Sequence, residues 1–331
     1  MTLPRAPIVL ISICALPAAH AAGKEDRRPP CAVKRLGVKR CPANPLITAE
    51  TCETIGTNIN GPSVVRAPDW LDEPLGRYYM YFAHHHGKHI RLACADKLAG
   101  PWTVRKPGTL KLGQASALIR GHVASPDVHV AAETQTVWMY FHGPGRRVRR
   151  QITGLATSKD GLHFAAGKQM IADFYFRRFR WEGTWYGVAK SGNQGGQLLR
   201  SDDPAARFEV RKKPLLPGMR HAAVLVRGDT LLVFYSRGGD RPERILLSTV
   251  KLTDDWTEWT ASKPIDVLRP EKEYEGIEYK LRPSRWGSGT KVQELRDPCI
   301  FEEDGQVYLF YTIAGEMGIA MAELEIGIQE L

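Results

Sequence analysis

Five aromatic-rich stretches recur along the 331 residues with one grammar around them, and few folds other than a repeat architecture accommodate that. They are 78-YYMYFAH-84, 137-VWMYFHG-143, 184-TWYGVAK-190, 231-LLVFYSR-237 and 307-VYLFYTI-313. Each follows an apolar run: 62-PSVVRAP-68, 126-PDVHVAA-132, 174-FYFRRFR-180, 222-AAVLVRG-228 and 298-PCIFEED-304. Glu182-Gly183, Gly228-Asp229 and Asp304-Gly305 supply hairpin turns between the two runs. A third, small-residue run follows each pair, as in 90-IRLACAD-96 and 318-GIAMAEL-324. Trp102, Phe164, Phe208 and Trp259 then mark a fourth strand in four of the five repeats.

Four antiparallel strands repeated five times, with no helical period of similar strength, predict an all-β five-bladed β-propeller over residues 58–331. The alternative is a β-sandwich, which strand spacing alone does not exclude. The last repeat lacks a fourth strand, so a segment before residue 60 is expected to complete it and close the ring. Residues 23–57 form an N-terminal segment, and residues 265–294 read as an insertion before the last blade.

Residues 1–22, MTLPRAPIVLISICALPAAHAA, have the basic start, apolar stretch and small-residue end of a secretory signal. The mature protein is therefore expected to be secreted or periplasmic, without a stable membrane anchor. The formal charge is +10, but residues 1–40 alone carry +6. With no basic stripe interleaved with aromatics, a nucleic-acid partner is not expected. Cys31, Cys41 and Cys52 can supply one disulfide in an oxidising compartment, whereas Cys94 and Cys299 sit in strand patterns as inert thiols.

In an up-and-down blade, the start of the first strand and the loop between the second and third strands lie at one end. That rule gathers Asn60, Gly61, Ser125, Asp127, Tyr175, Arg220, His221, Arg296 and Asp297 with His84, His85, His86, His142, Arg146, Arg237 and Glu316 around one mouth of the channel. Such a density of His, Arg and carboxylate exceeds what folding requires. Pro298 takes the first strand position, where a missing N–H costs least, and Asp297 can face the channel. Arg296 is expected to hold that carboxylate ionised.

The segments 88-KHIRLACADKLAGPWTV-104, 125-SPDVHV-130 and 296-RDPCIFEEDGQVYLFYT-312 resemble glycoside hydrolase family 43 and its five-bladed, invertase-like relatives. The resemblance implies a glycosidase, inverting, acting on a polysaccharide or oligosaccharide. It makes Asp297 the general base and Asp127 an auxiliary carboxylate. The family's acid, a Glu followed by Gly, has no counterpart in blade 3, and 58-NINGPSVV-65 lacks the invertase-like nucleophile.

Two carboxyl groups are the usual requirement of glycoside hydrolysis, so the acid must come from elsewhere. Glu275, followed by Gly276 in the insertion, is one candidate, with Trp286 of the same loop to stack on a sugar; a mouth histidine is the other. His221 resembles a channel histidine that family 43 places near an ion, which leaves room for Ca2+ or another divalent cation. Arg146, Arg220, Arg237 and Arg296 suit an acidic or sulfated sugar. Two other classes stay open: a non-catalytic glycan-binding propeller, and a metal-dependent hydrolase on the same ring.

Overall fold

The computed structural model describes residues 32–192, 195–283 and 290–329. The expected leader, Cys31 and Trp286 lie outside the described residues.

Blade 1 comprises Asn60–Arg66, Tyr78–Ala83, Arg91–Ala95 and Thr103–Arg105 in antiparallel order. Blade 2 follows with Ala124–Ala131, Thr136–Pro144, Gln151–Ser158 and Ala165–Ala166, and blade 3 with Arg177–Trp181, Thr184–Lys190, Gly195–Ser201 and Glu209–Val210. Met219–Arg227, Thr230–Arg237, Ile245–Lys251 and Ile265–Leu268 form blade 4. Blade 5 is built from Arg296–Glu303, Gln306–Ile313 and Gly318–Gln329.

Its missing outer strand comes from the other end of the chain. Ala32–Arg40 pairs antiparallel with Gly318–Gln329, from Ala32 opposite Gln329 to Arg40 opposite Ala322. The N-terminal segment therefore closes the ring. Ile265–Leu268 belongs to blade 4, so the insertion before blade 5 begins only after Leu268. Trp259 precedes that outer strand instead of lying within it.

The apolar runs are continuous because each blade is covered on both faces. Tyr78–Ala83 is buried along its whole length, as is Arg91–Ala95. Five hydrophobic clusters result, one between each pair of adjacent blades. Ile90, Leu118 and Phe141 fill the gap between blades 1 and 2, and Tyr140, Phe176 and Phe208 that between blades 2 and 3. Val188, Val233 and Trp259 pack blade 3 on blade 4, Phe234, Leu309 and Leu324 blade 4 on blade 5, and Met80, Phe310 and Met321 blade 5 on blade 1. Two face-to-face sheets would bury one core between them, so this partition excludes the sandwich.

The innermost strands share one irregularity. The register shifts between Asn60 and Ser63, Ala124 and Asp127, Met219 and His221, and Arg296 and Cys299. Gly61, Ser125 and Asp297 there adopt positive φ, at 60°, 43° and 44°, and Tyr175, two residues before the innermost strand of blade 3, does so at 55°. A bulge re-aims the side chain it carries, and for a non-glycine residue that conformation is strained. The bulge repeated in blades 1, 2, 4 and 5 thus breaks the ladder at one end of the channel.

Candidate active site

Asp297 sits at the bulge of blade 5, 3% exposed. Thr312 Oγ1 donates to its Oδ2 at 3.2 Å, and His221 Nδ1 of blade 4 lies 3.1 Å from its Oδ1. Burial and then the neighbouring Glu316 carboxylate push the Asp297 carboxyl up to about 7, against the pull of Arg296 and Arg220. The same burial, reinforced by Arg220 and Lys190, holds His221 well below its ordinary value. Near neutral pH the pair therefore carries one proton more readily than two.

Arg296 does not do what the sequence suggested. Its guanidinium turns to three other carboxylates: Nη1 donates to Glu316 Oε1 at 3.1 Å, Nη2 pairs with Glu294, and Nε lies 3.1 Å from Glu243 Oε2. Burial opposes its charge, but these neighbours raise its pKa. Arg220 Nη1 donates to the same Glu243 oxygen at 3.1 Å. Asp297 is left without a direct ion pair to either arginine, and burial and the Glu316 charge outweigh their pull on its pKa. Glu243 and Glu294 escaped notice in the sequence because only tertiary pairing identifies them.

Glu316, in the loop between the second and third strands of blade 5, accepts from Asn58 Nδ2 at 2.6 Å and Asn60 Nδ2 at 3.2 Å. His85 Nδ1 is 3.7 Å from it, and the His85 backbone N–H donates to Asn58 Oδ1. From His85 a belt of rings continues around the mouth: His86, His122, His142, Tyr175 and His221, each within 6.4 Å of the next, centroid to centroid. His84 is tied to its own turn, its Nδ1 accepting from the His86 N–H. Burial lowers the pKa of His84, His85, His122 and His142, the last well below the ordinary range. Among the described residues no three His, Cys, Asp or Glu converge to hold a metal ion.

Arg237 Nε donates to Asp240 within its own loop, and Arg146 Nε to the Ser116 carbonyl. With Arg220 and Arg296 on carboxylates as well, the expected basic rim is largely neutralised from within the chain.

Two sequence-based assignments fail on position. Asp127 pairs with Tyr140, the register position that Cys299 holds opposite Phe310, so it lies two residues past the bulge. It lines a cavity of about 410 Å3 with Ser63, Arg178, Val224 and Ile300, at the other end of the channel from Asp297. There its Oδ2 accepts from His129 Nε2 at 2.9 Å and the Arg178 N–H at 3.0 Å. Despite burial, His129 and Arg177 hold its pKa below the usual carboxylate value. Arg177 separates the two ends, its guanidinium donating to the Pro126 and Ala222 carbonyls of blades 2 and 4. Glu275 is fully buried away from the channel: Arg40 Nε and Tyr311 Oη donate to its Oε1 at 2.7 and 2.9 Å, and the Glu271 and Lys272 N–H groups to its Oε2. It fastens the closing strand, and no oxygen is left for a substrate.

No model of a known protein family matches the chain. An uncharacterized protein of Acanthamoeba polyphaga mimivirus, R118, is 37% identical over 334 residues, covering 89% of this chain and 92% of the viral one. The chain belongs to the family of this viral protein. Solved structures with the same fold are more distant in sequence. A family 43 β-xylosidase/α-arabinofuranosidase from a compost microbial metagenome, in complex with xylotriose, superposes with a TM-score of 0.56 at 14% identity, over 89% of this chain and 98% of its own. A structure described with the family 130 mannoside phosphorylases, which contain hydrolases targeting β-1,2 mannosidic linkages in Candida mannan, gives 0.60 at 12%, over 90% and 96%. At such identities the likeness is one of fold.

Proposed function

We propose that the protein is an exported glycoside hydrolase that cleaves a neutral glycan with inversion, with Asp297 as general base. One observation carries this reading: a buried carboxyl, turned out of its ladder by a strained bulge, with its pKa near 7, at a channel mouth lined by histidines and asparagines. Strain and a perturbed pKa together are characteristic of a site kept for chemistry. The propeller enzymes that share the fold act on xylosidic, arabinosidic or mannosidic linkages and support a carbohydrate substrate. A neutral sugar is preferred because the mouth's arginines already hold carboxylates.

In this scheme Asp297, ionised above about pH 7, accepts a proton from the attacking water. Arg220 and Arg296 fix the surrounding carboxylates, and the Asn58, Asn60 and Glu316 cluster offers hydrogen bonds to sugar hydroxyls. Turnover of xylosides, arabinofuranosides and mannosides by the wild type and by Asp297→Asn tests it. Loss of turnover with retained sugar binding is expected. Binding without turnover in the wild type would instead establish a glycan-binding propeller. Export is tested by sequencing the mature N-terminus, expected near residue 22.

A further inference from the structure

The reaction proposed above needs a proton donor for the departing oxygen, and neither Asp127 nor Glu275 reaches the mouth. The histidines do reach it, but burial keeps His85, His122, His142 and His221 below their ordinary pKa, so near neutral pH they have no proton to give. Glu316 is engaged as an acceptor by Asn58, Asn60 and Arg296. Glu294 is paired with Arg296 and Glu243 is fully buried.

Lys190 is different. It ends the second strand of blade 3, above two aromatic rings of the segment that leads into the first strand, where Tyr175 has a positive φ: its ammonium lies 5.4 Å from the Phe174 ring centre and 5.8 Å from that of Tyr175. Among the described residues its Nζ makes neither an ion pair nor a hydrogen bond, whereas Arg220 and Arg296 hold carboxylates at the same mouth. Tyr175 stands edge-on to His221 at 4.6 Å, and His221 faces Asp297 at 3.1 Å. The ammonium and Asp297 thus flank one mouth from blades 3 and 5, with His221 of blade 4 between them. A half-buried cation held on ring faces alone keeps its N–H donors for something outside the chain.

We propose that Lys190 is the proton donor to the departing glycosidic oxygen, an inference that rests on the glycosidase reading above. As the anomeric C–O bond breaks, a proton passes from Nζ to the leaving oxygen while the water oxygen bonds the anomeric carbon and its proton passes to Asp297. Lys190 ends neutral and Asp297 protonated, and exchange with solvent restores both. The groups facing Lys190 set it up for this task. Burial and Arg220 lower its pKa to about 8, while Glu243 and Asp297 oppose that shift. A donor near working pH is far more effective than an ordinary lysine.

The experiment compares Lys190→Met and Lys190→Arg with the wild type on two substrates of one sugar: an oligosaccharide, and a 2,4-dinitrophenyl glycoside whose leaving group departs without a proton. Lys190→Met is expected to lose about 10²–10⁴-fold in kcat/KM on the oligosaccharide and to stay within a few-fold on the dinitrophenyl glycoside. That second activity also shows that the variant folds. The alkaline limb near pH 8 should vanish in Lys190→Met and move upward in Lys190→Arg. Equal losses on both substrates, or an unchanged alkaline limb, would overturn the assignment. Failure of the underlying reading looks different: the wild type then turns over neither compound, or Asp297→Asn keeps both activities, and the inference falls with it.

Discussion

The two ends of the channel each carry an aspartate on an innermost strand, two residues apart in register, and the two behave in opposite ways. Asp127 has a histidine and a backbone N–H on one oxygen and stays below the ordinary carboxylate range. Asp297 has a neutral histidine, a threonine and the field of Glu316, and rises to about 7. Burial is common to both, so the partners decide the outcome. Hydrogen bonds to the charged form favour it, and a nearby like charge disfavours it. Arginines serve at the mouth as a frame for Glu243, Glu294 and Glu316, which leaves Asp297 poised to exchange a proton.

A carboxylate outside the channel, Glu275, gives the largest contrast with both aspartates. Glu275→Ala should cost on the order of 3 kcal/mol in denaturant unfolding, because Arg40 loses its buried partner and the closing strand its anchor. Its kcat at low temperature should be unchanged, against the total loss expected of a catalytic acid.

A smaller effect separates the two ends by sign. A carboxyl whose folded pKa is raised binds more protons folded than unfolded, so it loses stability as pH climbs from about 4 to about 7. Asp297→Asn should therefore melt several degrees above the wild type at pH 8 and close to it at pH 4. Asp127, with its pKa lowered, contributes stability that is present at neutral pH and lost on acidification. Asp127→Asn should melt below the wild type at pH 8, and the gap should close in acid. Thermal scans at several pH values check both, and shifts of the same sign would break the comparison. Smallest of all, kcat/KM should follow a narrow bell, rising through about 7 with Asp297 and falling through about 8 with Lys190.

Much of the fold was legible because covered blades need uninterrupted apolar strands, and five such runs with hairpin turns leave little choice of architecture. The need for a closing strand was legible as well, though its location at Ala32–Arg40 required the paired register. At the site, the Asp-Pro opening of blade 5 pointed to Asp297 and loop position to His85 and Glu316, whereas His142, also assigned to a loop, lies within the strand Thr136–Pro144. Asp127 was placed at the wrong end because it follows Pro126 whereas Asp297 precedes Pro298; both strands carry the same bulge, so the two-position offset stands and moves the side chain along the channel. Glu275 looked like a loop carboxylate until Arg40, 235 positions earlier, was found bonded to it. Lys190 and His122 carry no local motif. What singles them out is, among the described residues, the lack of a paired carboxylate in one case and a place in the ring belt in the other.

The most direct test of the account is the steady-state turnover of one glycoside by Asp297→Asn and Asp127→Asn side by side. A loss of about 10³-fold or more is expected for the first and a change within a few-fold for the second. A comparable loss in both, or the larger loss at Asp127, would contradict it and move the catalytic centre to the other end of the channel.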